Sequence, residues 1–437
     1  MEGSIKCSRV KVTSLLSVVS SKPVEAGKVH KLSKLDQEMG HRKVQVIFYY
    51  ESNPFIHGSM SDQLDNLRVS LSRLLNDYPV VTGRLTRDPD DGGWQIKCND
   101  AGVRMVRAKV STTLVEWLRS ADAEEEQDLM VWEDMPQDPS FWSPFRIQIT
   151  NFECGGMAIA LRCHHMQADI TSATLLIKSW TDVHRGQPLL HPPIFQLSAP
   201  PTGRLIPTFE TMPNHEIPRK MATLTMKFSS NSVEKCMSQV RNQCPEADPD
   251  PFEALVALLW SRITRWQEPT SFGGRKCWLS ICVDLRNRGP KSVPLGYFGN
   301  AMRFSSLSVD VEDLTSPGIG NVANYIHSHV ADLKGDDKPY GMYDSELTCI
   351  NTENILDVDN GQSLMYAAKF DKGKEPVHVS YSVGTEEGQG LIIVMPAREP
   401  GLGRTVSVTL PEEQIANLRK DHAILEFEPT MIISGKL

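Results

Sequence analysis

The spacing of apolar residues along the chain predicts a mixture of strands and helices. Lys43 to Tyr50 (KVQVIFYY) alternates and is rich in β-branched and aromatic residues, which reads as a strand. Ser61 to Asn76 carries Leu64, Leu67, Leu71, Leu74 and Leu75 at helical spacing, with Ser61 placed to cap its start. Met157 to Cys163 (MAIALRC) again has strand character, and Ala173 to Val183 turns helical, with Leu176 and Trp180 four apart on one face. Further on, Asp250-Pro251-Phe252-Glu253 opens a helix by three agreeing signals: an Asp N-cap, Pro in the first turn, and Glu three residues on to complete a capping box. The apolar run Ala254 to Trp260 then predicts a helix buried on nearly every side. WLSIC (278–282), Leu391 to Met395 and Thr405 to Leu410 read as strands, and Pro411-Glu412-Glu413 starts a last helix.

One segment interrupts this pattern. The 31 residues from Pro188 to Pro218 hold 8 of the 28 prolines. Each proline removes a backbone donor and restricts the residue before it, so the segment supports neither a continuous helix nor a central strand. It reads as a crossover linker, which divides the chain into an N-terminal domain at 1–187, the linker at 188–218 and a C-terminal domain at 219–437. Two layered α/β domains of similar size with a site between them are expected. No internal repeat is visible, and the acidic run Asp122 to Asp128 reads as a solvated loop or helix face.

Composition narrows the function classes. Over 437 residues, Lys+Arg number 46 against 54 Asp+Glu, a formal charge of −8 that argues against a general nucleic-acid binder. A small thioester or organic substrate is the easier partner. Nine cysteines, an odd number with no Cys-x-x-Cys pair, suggest neither a zinc site nor a disulfide framework, and fit a reducing compartment. No window approaches the roughly 18 apolar residues that would span a bilayer, and the N-terminus lacks a signal-type apolar core. Gly435-Lys436-Leu437 misses the Ser-Lys-Leu peroxisomal address at its first position. A cytoplasmic protein is expected, with peripheral association at the endoplasmic reticulum open.

The informative polar segment is Cys163-His164-His165-Met166-Gln167-Ala168-Asp169, between a predicted strand and a predicted helix. Element ends are where catalytic groups are commonly mounted on a rigid scaffold. A histidine there takes a proton from an attacking hydroxyl or amine near neutrality, and His165-x-x-x-Asp169 places a carboxylate nearby. The same letters also describe a buried histidine beside a helix-capping aspartate. A metal site is disfavoured, because adjacent residues at a strand end point to opposite faces, so His164 and His165 do not share one ion. His327 and His329, two apart on a predicted helix, do not share a face either. Gly318-Ile319-Gly320-Asn321-Val322-Ala323 has the letters of a dinucleotide fingerprint but follows Thr315-Ser316-Pro317 and not a strand, so it reads as a helix entrance. No Gly-x-Ser-x-Gly elbow or Walker-type loop occurs. After the linker, Arg286 lies in Val283-Asp284-Leu285-Arg286-Asn287-Arg288, ahead of Gly296-Tyr297-Phe298-Gly299-Asn300. It reads either as the bidentate partner of Asp169 or as part of a basic surface loop.

Taken together, these residues resemble the plant BAHD acyltransferase superfamily. The motifs that carry the likeness run in order from end to end: YPVVTGRL, HMQAD with Trp180 and Gly186 behind it, PFEALVALLW, VDLRNR, GYFGN and VSVTLPEE. The resemblance implies an α/β fold of two pseudo-symmetric chloramphenicol-acetyltransferase-like domains, each with a mixed β-sheet core, and an interdomain solvent channel. It implies acyl transfer from coenzyme A to an alcohol or amine, with acyl-CoA as co-substrate and no bound cofactor or metal. On this resemblance His165 is the general base, Asp169 a structural, orienting partner of Arg286, and His164 a supporting residue. Two positions depart from the pattern. The Gly that usually follows the motif Asp is Ile170, and the DFGWG signature aligns with Lys369-Phe370-Asp371-Lys372-Gly373, a degraded second motif that keeps Phe370 and Gly373. The N-terminal MEGS, PSFWSPFRIQITNFECGG and the stretch from Tyr366 to Glu412 are similar to the eceriferum and glossy wax branch. That branch implies an alternative: a non-catalytic or weakly catalytic partner of a condensing enzyme in very-long-chain fatty acid elongation.

Overall fold

The computed structural model describes residues 8–40, 42–53, 60–197, 220–266, 276–286, 292–316, 318–332, 347–352, 363–371, 373–384 and 389–435, with the side chains of 60–64 outside the description. Most of the proline-rich segment, from 198 to 218, therefore lies outside the described residues, as do Asn287, Arg288, Lys372, the N-terminal MEGS and the final Lys436-Leu437. The chain forms two compact units. Unit 1 comprises Met1–Ser198, Arg286–Ala301 and Ile355–Gly384; unit 2 comprises Ala199–Leu285, Met302–Asn354 and Thr385–Leu437. The division is thus not one cut in the chain, because two segments from beyond the prolines belong to unit 1.

In chain order, unit 1 begins with strands β1 (Val10–Val18), β2 (Val29–Lys31), β3 (Lys43–Tyr50), β4 (Arg84–Arg87), β5 (Trp94–Lys97), β6 (Val103–Val110), β7 (Phe145–Phe152) and β8 (Met157–His164). Its helices are α1 (Lys34–Glu38), α2 (Met60–Leu74), α3 (Leu114–Ser120), α4 (Ala123–Gln127) and α5 (Ile170–His184). Unit 2 holds β9 (Met221–Phe228), β10 (Lys276–Asp284), β11 (Met302–Asp310) and β12 (Leu347–Asn351); β13 (His378–Val383) returns to unit 1. Unit 2 ends with β14 (Gly390–Pro396), β15 (Arg404–Pro411) and β16 (Thr430–Ile432), and its helices are α6 (Ser230–Gln243), α7 (Pro251–Thr264), α8 (Val311–Thr315), α9 (Gly320–Asp332), α10 (Glu412–Leu418) and α11 (His422–Leu425).

Both large sheets are mixed. Unit 1 has the order β1-β6-β7-β8-β3-β13, with one parallel pair at β6–β7, and a small antiparallel sheet β2-β5-β4. Unit 2 has the order β11-β10-β12-β14-β15-β9-β16, parallel at β10–β12 and β12–β14. Helix α5 is buried along almost its whole length against α2, β3 and β8, and Leu176 and Trp180 are both in the core. In unit 2 the capping box at Asp250 is present, with Glu253 N–H donating to Asp250 and Asp250 N–H to Glu253. Burial of Phe252, Leu255, Leu259 and Trp260 explains why α7 is apolar all round.

Differences from the sequence expectations have local causes. Helix α5 starts at Ile170 and not Ala173, because Asp169 caps it by accepting from Ser172 N–H at 2.9 Å. Helix α2 begins at Met60, so Ser61 lies within its first turn and not ahead of it. Helix α10 is not the last, since Asp421 caps a further turn, α11. Two expectations agree with the structure: the acidic run forms a helix, α4, capped by Asp122, and the Gly318 to Ala323 segment is a helix entrance, opening α9. The first amides there, Ile319 and Gly320 N–H, donate to the Gln243 side chain at 2.7 and 2.9 Å. That helix start is already occupied. Among the described residues, no helix is long and apolar enough to cross a membrane.

Candidate active site

The strand–turn–helix unit β8–α5 carries the sequence motif within unit 1. His164 ends β8, opposite Lys43 of β3, and its ring packs edge-on against Trp142 with centroids 5.6 Å apart. His165 follows in a tight turn closed by Gln167 N–H donating to the His164 carbonyl at 2.9 Å. The His165 backbone is held on both sides: its N–H donates to the Arg42 carbonyl at 2.8 Å, and its carbonyl accepts from Asn300 Nδ2 at 2.8 Å.

The imidazole itself is 0% exposed; among the described residues neither ring nitrogen has a partner in hydrogen-bond geometry, while the Asn300 side chain lies close enough to favour the charged form. Burial lowers its pKa below the ordinary 6.5, with the nearby Asp169 charge working the other way. The ring is therefore neutral at physiological pH, with a free nitrogen lone pair to accept a proton. A buried imidazole fixed through its backbone, with no ring hydrogen bond of its own among the described residues, costs stability in a purely structural role.

Asp169 and Arg286 are brought together. The guanidinium reaches Asp169 Oδ2 from Nη1 at 2.9 Å and Oδ1 from Nη2 at 3.2 Å, with both side chains at most 1% exposed. Arg286 also donates to the carbonyls of Tyr297 at 3.1 Å and Gly299 at 2.9 Å and to Ser172 Oγ at 3.0 Å. Asp169 further accepts from Ala301 N–H at 2.9 Å and caps α5. Its carboxylate is thus held in a charge pair that ties Arg286 and Ala301 to the start of α5, so Asp169 is helix cap and ion-pair partner at once.

Two residues of this network were missed from the sequence. Asp36, 3% exposed at the start of α1, accepts from Asn300 through both its backbone N–H (3.1 Å) and side-chain Nδ2 (2.8 Å), and on its other oxygen from Ser33. Asn300 thereby ties α1 to the His165 carbonyl. The signal was available: Ser33-Lys34-Leu35-Asp36 has capping-box spacing. Ser172 was missed too; it accepts from Arg286 and Gly299 N–H while donating to the Gly299 carbonyl. Close packing also fixes Gly296, where a Cβ would lie 2.3 Å from the Pro192 carbonyl oxygen.

The second motif lies elsewhere in unit 1. Phe370 is buried against Trp180, Tyr50 and His184, with ring centroids 5.1, 6.0 and 5.7 Å away. Asp371 is half-buried beside Lys374 at 3.6 Å, and Gly373 takes a φ of +80° with open space around it. Phe370 therefore works as packing behind α5. Phe370→Leu is expected to lower stability by about 1–3 kcal/mol, since it removes three edge-on ring contacts; thermal unfolding of the purified variant checks this. His327 and His329 part company, the first meeting Glu253 and the second Ser305. Among the described residues no group of three His, Cys, Asp or Glu side chains converges.

Comparison with known proteins agrees with this architecture. The chain is 24% identical to the protein ECERIFERUM 26-like of Arabidopsis thaliana, over 93% of each chain. It is 24% identical to stemmadenine O-acetyltransferase of Catharanthus roseus, over 92% of this chain and 94% of the enzyme. The crystal structure of F. sporotrichioides TRI101 complexed with coenzyme A and T-2 superposes with a TM-score of 0.71, covering 93% of this chain and all of that one at 16% identity. That likeness shows the fold, chloramphenicol-acetyltransferase-like with mixed sheets. The family model of the Transferase family matches residues 8–425, and the chain accordingly belongs to that family, the BAHD group of plant acyl-CoA-dependent acyltransferases.

Proposed function

We propose that this chain transfers an acyl group from a CoA thioester to an alcohol or amine, with His165 as general base. The observation that carries the reading is the fully buried His165 imidazole with both nitrogens unpartnered among the described residues and its pKa lowered by burial. As the acceptor oxygen or nitrogen attacks the thioester carbonyl carbon, His165 takes its proton. The tetrahedral intermediate then collapses, the carbon–sulfur bond breaks, and the thiolate of coenzyme A takes the proton back from His165. Asp169 and Arg286 contribute by holding the turn and the Asn300 segment that fix the imidazole. Acyl-CoA and the acceptor act as substrates, and no step calls for a metal. The test is release of free CoA from aromatic and long-chain acyl-CoAs with a panel of alcohols and amines.

The likeness to the eceriferum proteins favours a second reading, in which the fold assists a condensing enzyme of very-long-chain fatty acid elongation, at the endoplasmic reticulum surface, without using His165. Co-expression with such an enzyme then lengthens fatty acyl products equally well with wild type and His165→Ala. Unchanged chain length removes this reading.

A further inference from the structure

Acyl transfer builds negative charge on the former carbonyl oxygen, and the reading above supplies a base but no donor for that oxygen. The backbone N–H groups around His165 are largely committed. Those of His165, Gln167, Ser172, Gly299, Asn300 and Ala301 already donate to Arg42, His164, Asp169, Ser172, Asp36 and Asp169. All the Arg286 nitrogens are spent on Asp169, Ser172 and carbonyls.

Among the described residues, Asn300 and Gln167 near the base carry unpartnered side-chain atoms. Asn300 leaves only Oδ1 without a partner, an acceptor that cannot stabilise a developing oxyanion. Gln167 is 3% exposed, and both its Nε2 and Oε1 lack any partner among the described residues. A buried carboxamide left unsatisfied destabilises a fold, and methionine or leucine would fill the same space without that penalty. Gln167 is two residues from His165 in the same turn, so their Cα atoms lie within about 7 Å, a separation that a side chain as long as glutamine's can span.

Resting on the His165 reading, we infer that Gln167 is a further catalytic residue, whose Nε2 donates to the thioester carbonyl oxygen and to the oxyanion it becomes. An amide buried and unpaired in the resting protein has no competing hydrogen bond to break when the substrate arrives. Its donation strengthens as charge develops, so its contribution falls on turnover more than on binding.

The experiment measures CoA release, KM for acyl-CoA and melting temperature for wild type, Gln167→Met, Gln167→Glu and His165→Ala. The inference predicts that Gln167→Met lowers kcat by about 10²–10³-fold, leaves KM little changed, and melts no lower than wild type. Gln167→Glu, which keeps the length but replaces the donor by a charge of the wrong sign, is expected to fall at least as far. Wild-type turnover by Gln167→Met alongside a dead His165→Ala overturns this inference and leaves the base in place. A lower melting temperature with unchanged kcat in either Gln167 variant assigns the residue to folding and also overturns it. No release by any of the proteins, wild type included, removes both readings together.

Discussion

Arg286→Ala is expected to destabilise the protein by about 3–5 kcal/mol, seen as a large drop in melting temperature. The guanidinium is 1% exposed and donates at least five hydrogen bonds among the described residues, two of them to a carboxylate that is itself fully buried. Removing it strands the Asp169 charge and leaves the Tyr297 and Gly299 carbonyls without these donors. The remaining donors to Asp169, Ser172 N–H and Ala301 N–H, are dipoles and do not neutralise it. Arg286→Lys is expected to recover only part of the loss, because an ammonium cannot bridge both oxygens and reach the two carbonyls together. A melting temperature unaffected by Arg286→Ala contradicts a structural role for the pair.

His165→Ala is expected to lower turnover by about 10²–10⁴-fold while leaving the fold intact. Among the described residues the imidazole has no hydrogen bond in good geometry to lose, so its removal chiefly leaves a small cavity. The acid dependence follows from the direction of the shift. Burial disfavours the protonated form, so the folded pKa lies below 6.5 and the base is competent throughout the neutral range. Activity should be flat above that value and fall only as pH drops below it. Stability shares the sign: the unfolded chain binds a proton near 6.5 that the folded chain refuses, so acidification through that value favours unfolding. The pH profile of kcat/KM for wild type checks this; a midpoint above 6.5 assigns the limiting ionisation to another group.

Much of the site was legible because it is local. HMQAD sits within one turn, and Asp169 caps the helix that follows, so strand, turn and helix declare themselves in about twenty residues. The same holds for Asp250 and Glu253 at α7. What could not be read depends on pairings distant in sequence. Nothing in HVSYSV says that it extends the sheet of unit 1 by pairing with β3, Tyr381 opposite Val46. The 286–301 segment likewise joins unit 1 through hydrogen bonds from Asn300 to Asp36, 264 residues away. Asp36 completes the capping box of α1 with one oxygen, and it is the other oxygen, accepting from Asn300, that makes it part of the support for His165. The Lys369–Gly373 region, read from the sequence as a degraded second motif, is organised around one buried aromatic ring, Phe370.

The central claim is that His165 carries proton transfer in acyl transfer from coenzyme A. The most direct test is free CoA release by wild type and His165→Ala, side by side, across aromatic and long-chain acyl-CoAs with alcohol and amine acceptors. The account predicts acceptor-dependent release by wild type and a loss of about 10²–10⁴-fold in the variant. Equal release by the two proteins, or none by either, contradicts it.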